Sequence, residues 1–246
     1  MLKLLVTMII GKKPKNALVF ASARPAPKSK TRKCAACPAI KLKWTRFGDS
    51  LAQSARMPSV LAFIALDADT KLIPSFIVGK RDSYHAKAFM EDLARRLSLR
   101  VQLSSDAMIS YPEAVEGGFG SEVDYGQLVK TYGLTNLNKD AASRYSPAEV
   151  VKAERTVING MPDVSRITTS HVEKQNHTLR MHCRRLTRLT NAFSKKFENF
   201  EAAVALNFAY YNFVKTHGAI RMTPAMAAGI EKSHWTVAEL VKNCGE

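Results

Sequence analysis

Two acidic residues, Asp106 and Glu173, carry the strongest chemical signal in this chain. The residues Val101-Gln102-Leu103-Ser104-Ser105 are β-prone and run straight into Asp106, which puts this carboxylate at the carboxyl end of a predicted strand. In open α/β sheets, ligands and chemistry collect at that end. The competing reading is an ordinary cap for the helix that follows. Glu173 lies in a stretch from His171 to Arg180 that reads as helix. At helical spacing Glu173, Asn176 and Arg180 fall on one face, an acid, an amide and a guanidinium together. A merely solvated face is the alternative. Two carboxylates from a strand end and a distant helix could hold Mg²⁺ or Mn²⁺, because such ions bind through few carboxylates and keep waters. Phosphoryl transfer by two metal ions roughly 3.5–4 Å apart needs one carboxylate more.

A basic track follows Glu173: Arg184, Arg185 and Arg188, then Lys195 and Lys196. If the helix runs over residues 170–189, the first three lie beside the acids, where they would touch phosphates without reading sequence. A snorkelling amphipathic helix would look similar.

The elements that must position these residues can be read coarsely. Residues 60–66 and 72–78 are apolar runs across an Asp-rich turn, Asp67-Ala68-Asp69-Thr70, which predicts a β-hairpin. Pro74 favours an edge position for the second run. Residues 83–97 predict an amphipathic helix capped by Ser83, with Phe89, Leu93 and Leu97 at intervals of four. The strand ending at Asp106 comes next. A short helix opening at Pro112 and closing at Gly117-Gly118-Phe119-Gly120 follows, and then a strand over 122–129. Residues 134–164 read as a polar insertion loop. Helices are expected over 170–189, 200–214, 223–228, where Thr223 caps and Pro224 takes the first helical position, and 235–242. This order predicts an α/β class with a mixed sheet flanked by helices.

Charge divides the chain. The 246 residues carry a net +16, which points to a polyanionic partner such as nucleic acid. Residues 1–56 hold 13 Lys or Arg against one acid, Asp49, whereas residues 57–246 hold 24 basic and 20 acidic residues. The first segment shows no helical or strand periodicity and is broken by Pro14, Pro25, Pro27 and Pro38, so it reads as an irregular basic arm. Its Cys34 and Cys37 form a lone C-x-x-C with no second ligand pair at zinc spacing. Lys12, Lys13 and Lys15 interrupt the apolar start, and no other stretch reaches membrane-spanning length. A cytoplasmic location without membrane insertion is therefore expected.

Several segments together resemble the DDE-type transposases of short bacterial insertion sequences, of the insertion-sequence-1-like group. They are Ala65 to Ser75, Val101 to Asp106, His171 to Arg180, Leu186 to Lys196, Tyr210-Tyr211-Asn212-Phe213-Val214, and Thr223 to Gly229. The resemblance implies a ribonuclease-H-like fold and Mg²⁺-dependent cleavage and strand transfer at the ends of the element. Asp106 would be the second acid of the triad and Glu173 the third, both metal ligands. Asn176 and Arg180 would be their helical companions, and with Arg184, Arg185, Arg188, Lys195 and Lys196 would face double-stranded DNA. Family members act as homo-oligomers on paired ends.

The first acid of that triad belongs to an Asp-Glu-Ile-Trp motif on the first strand, upstream of Asp67. No such motif stands there, and the family's amino-terminal helix-turn-helix is not visible. The segment Lys41-Leu42-Lys43-Trp44-Thr45-Arg46-Phe47-Gly48 occupies the place. Trp44 is encoded by TGG and Thr45 begins with AC. Shifting the frame back by one base therefore yields GAC, an Asp codon, preceded by Met or Val. Glu, Ile and Trp follow if Thr45 is ACG, Arg46 is AGA and Phe47 is TTT. On this reading residues from roughly 12 to 56 are translated out of the ancestral frame, which fits the charge break. The expected organisation is a basic segment over 1–56, a ribonuclease-H-like core over 57–230 without its first strand, and a tail over 231–246. Asp67 is the weak substitute for the missing acid. The alternative to a transposase is a basic nucleic-acid-binding protein without catalysis.

Overall fold

The computed structural model describes residues 39–46, 61–132, 150–186, 191–192, 194 and 196–245. Six strands form one mixed sheet: β1 (Ala39–Arg46), β2 (Leu61–Asp67), β3 (Phe76–Gly79), β4 (Val101–Asp106), β5 (Val123–Tyr132) and β6 (Val150–Asn159). Their order is β3-β2-β1-β4-β5-β6. β1, β4 and β5 run parallel, β2 is antiparallel to both β1 and β3, and β6 is antiparallel to β5.

Alternation along β2 explains the layering, because successive side chains point to opposite faces. Phe63 and Ala65 pack with Phe89, Met90 and Leu93 of α1 (Ser83–Arg96) and with Tyr111, Ala114 and Val115 of α2 (Tyr111–Phe119). Ala62, Ile64 and Leu66 pack on the other face with Val172 and Leu179 of α3 (Ser170–His182) and with Phe200, Val204 and Phe208 of α4 (Phe197–Phe213). Helices thus cover both faces. α5 (Pro224–Ala227) and α6 (Val237–Gly245) join the far part of α4 in a third cluster, where Phe213 and Trp235 stack with ring centroids 4.4 Å apart. Residues of the expected tail are therefore part of the packed body.

Several expectations are met. The hairpin forms as β2 and β3, and β3 lies at the sheet edge. Pro74 stays outside both strands, which agrees with its lacking a donor. Thr223 caps α5, its hydroxyl accepting from Met226 N at 3.3 Å. α1 forms where expected, but its cap is Asp82, whose carboxylate accepts from His85 N at 2.9 Å, rather than Ser83.

Four expectations are corrected. The first strand is not missing: Ala39–Arg46 pairs with both β2 and β4 in the middle of the sheet, and Ile40, Leu42 and Trp44 alternate with Lys41, Lys43 and Thr45, a short two-residue period masked by the basic, proline-broken sequence before it. The expected polar loop over 134–164 contains β6, whose side chains are nearly all exposed; with neither face buried, no hydrophobic alternation marks it. α3 ends at His182 rather than near 189, since Cys183 leaves the helix in an extended conformation and a 3-10 turn, Arg184–Leu186, follows. The basic track is consequently not a continuation of the helix that carries Glu173. No helix among the described residues is long and apolar enough to cross a membrane.

Candidate functional site

Asp106 closes β4 and is half-buried, with its Oδ1 atom buried. Beneath it lies a buried hydroxyl network. Ser105 Oγ donates to the Asp106 carbonyl at 2.8 Å and lies 2.7 Å from the Tyr125 hydroxyl, to which Gln127 Nε2 also donates at 2.8 Å. Burial, with the Asp106 charge adding to it, pushes the Tyr125 hydroxyl up to about 12. The fully buried Tyr111 hydroxyl is pushed up by the same two causes.

Strand alternation puts Asp106 on the face of Gln102 and Ser104 of β4, whose register partners on β5 are Asp124, Gly126 and Leu128. This is the face that the segment leading into α3 covers. A Cβ on Gly126 would stand 2.4 Å from Ile167 Cδ1, so a larger residue there would make the Ile167 side chain shift. Gln102 Nε2 donates to the Asp163 carbonyl at 2.9 Å and its Oε1 accepts from Asp163 N at 3.1 Å, which fixes the same segment to β4.

Glu173 sits in the first turn of α3, where a negative charge suits the helix dipole. Its Oε1 accepts from Lys130 Nζ at 2.7 Å and from Thr169 Oγ1 at 2.8 Å. Lys130 lies two residues beyond Leu128, the register partner of Asp106. One strand spacing and two residue rises put its backbone about 8 Å from that of Asp106, on the same face. The fold therefore brings Asp106 and Glu173, 67 positions apart in sequence, to one end of one face.

The helical companions of Glu173 separate. Asn176 is buried, and its Oδ1 makes no hydrogen bond among the described residues. Arg180 is exposed, as are Arg184 and Arg185 in the 3-10 turn and Lys196 at the start of α4. Arg188, Lys195 and the Cys34–Cys37 pair lie outside the described residues.

Asp67 does not join the site. It pairs across the sheet with Ile40, and Ile40 pairs with Leu103, three residues before Asp106. Two strand spacings and three residue rises separate the Asp67 and Asp106 backbones by about 14 Å. The Asp67 carboxylate is fully buried and its Oδ2 accepts from Thr70 N at 3.0 Å and from the Thr70 hydroxyl. Burial raises its pKa, and the Thr70 bonds oppose that rise. It builds a turn. Asp69 is exposed and pairs with Arg166 at 3.1 Å.

Sequence reasoning missed Lys130 and Thr169. Lys130 falls just past the expected end of its strand, and its partner is 43 residues away, so no local pattern announces the pair. Among the described residues no group of three or more His, Cys, Asp or Glu is arranged to hold a metal ion. No protein-family model matches the chain, and no curated protein matches it.

Proposed function

We propose that this chain is the ribonuclease-H-like core of an insertion-sequence DNA transposase of the DDE type, and that this copy binds double-stranded DNA without cutting it. The observation that carries the reading is the meeting of Asp106 and Glu173 on one face and at one end of the sheet, at the carboxyl end of a parallel strand. These are the two acids that the resemblance assigns to the triad. The central parallel strands with β2 reversed, and helices on both faces, agree with the ribonuclease-H-like core.

The described residues do not fit a two-metal centre. In-line displacement on a phosphodiester needs ligands enough to fix two cations at once. The strand beside β4 reads Ala-Ile-Lys-Leu-Lys-Trp-Thr-Arg and supplies no acid. Continuing the β1–β4 register two residues beyond Lys41 and Ser104 sets Lys43 level with Asp106. What these residues can do is bind. Arg180, Arg184, Arg185 and Lys196 are exposed cations, suited to phosphates of any sequence. Element ends and target DNA as ligands, homo-oligomeric assembly and a cytoplasmic location belong to the same reading, as does descent from an enzyme that used Mg²⁺ or Mn²⁺.

The test measures binding and cutting of DNA by the full chain side by side. Binding should weaken steeply as salt rises, and no nicked or joined product should form with Mg²⁺ or Mn²⁺. Metal-dependent nicking that disappears in Asp106→Asn would overturn the loss of cleavage. Binding that ignores salt would overturn the DNA reading altogether.

A further inference from the structure

The pair between Lys130 and Glu173 joins two elements, β5 and α3, at the place where a metal ligand is expected. Its side chains are 25% and 36% exposed, so neither charge is fully screened by water. Glu173 Oε1 receives a second donor from Thr169 Oγ1, which orients the carboxylate toward the ammonium. Lys130 also follows Leu128, the register partner of Asp106, by two residues, which puts it on the same face as that acid.

We propose that Lys130 is the resident cation of this acidic face: its ammonium holds the Glu173 oxygen that a divalent ion would need, and the site is tied together by an internal ion pair in place of metal. A divalent cation at Glu173 would have to displace the ammonium or share an oxygen with it. It would then feel like-charge repulsion over a few ångströms. With Lys130 present, Asp106 and Glu173 leave the cluster only one net negative charge, too little to hold two divalent ions. Lys130 is a positioning residue here. It ties α3 to β5 through Glu173. The inference rests on reading Asp106 and Glu173 as a former cation-binding pair.

Mn²⁺ binding to the full chain, followed by the electron paramagnetic resonance of the free ion, tests it. Lys130→Met should bind Mn²⁺ at least about tenfold more tightly than the wild type, and adding Glu173→Gln should abolish the gain. Mn²⁺ should raise the Tm of Lys130→Met and leave that of the wild type unchanged. Lys130→Gln, which keeps a donor but loses the charge, serves if the Met variant does not fold. Equal or weaker Mn²⁺ binding in the neutral variants, or none in any form, overturns the inference. Salt-sensitive DNA binding by the wild type is measured separately, so a failure of the transposase reading is distinguishable from a failure of this one.

Discussion

Asp67 and Asp106 both close a β-strand, yet they sit at opposite ends of the sheet. β2 runs against β1 and β4, so its carboxyl end lies where theirs begin. Asp67 is sealed in the hairpin and devotes its carboxylate to Thr70. Asp106 is half-buried beside β5, on the face that α3 approaches, and its charge is felt by two buried tyrosines. The same residue type at the same kind of position is sealed inside a turn in one place and half-exposed at the sheet's other end in the other. Strand direction, which a lone strand pattern does not reveal, decides between them.

That contrast can be tested by removing each side in turn. Asp67→Ala should cost about 2 kcal/mol in chemical denaturation, because two donors of the Thr70 turn lose a buried acceptor. DNA binding by the folded fraction should not change; a specific loss of binding would show that the hairpin end has a functional role. Gly126→Ala should cost about 1 kcal/mol, since Ile167 must give way where the chain enters α3. Asp106→Asn should shift stability by less than about 0.5 kcal/mol and, if the proposed reading holds, leave DNA binding unchanged or slightly tighter, because one negative charge is removed.

The smallest effect concerns acid. Burial raises the Asp67 pKa in the folded chain, so the native state binds its proton more readily than the unfolded chain does. This group's favourable contribution is therefore present below the ordinary aspartate pKa and is lost as pH rises through the folded value. Denaturation of wild type and Asp67→Asn across that range should show the wild type gaining relative stability as pH falls. A difference that stays flat with pH would contradict the raised value.

Much of the scaffold was legible because burial leaves a pattern. The α1 stripe of Phe89 and Leu93 and the apolar runs of the hairpin follow directly from one-sided packing. Pro112 and Thr223 mark helix starts by chemistry that acts within a single turn. β6 was not legible, since a strand with exposed side chains has no buried face to impose a period of two. β1 was hidden by its charge, because Lys41 and Lys43 in Ala39–Arg46 read as part of a basic arm, while its place depends on neighbours far along the chain. At the site, the two acids were visible from local context. Their ammonium partner was not, because the contact between Lys130 and Glu173 exists only once β5 and α3 have docked.

The stacked rings of Phe213 and Trp235 have a consequence for any shortened form of the chain. Trp235 N also donates to the Phe213 carbonyl at 2.9 Å, and Leu240 closes over the same cluster. A stop just after Ile230 would remove residues 231–246, Trp235 and Leu240 among them. It would uncover Phe213, Ala209 and Ala225, creating an apolar patch of the kind that drives aggregation.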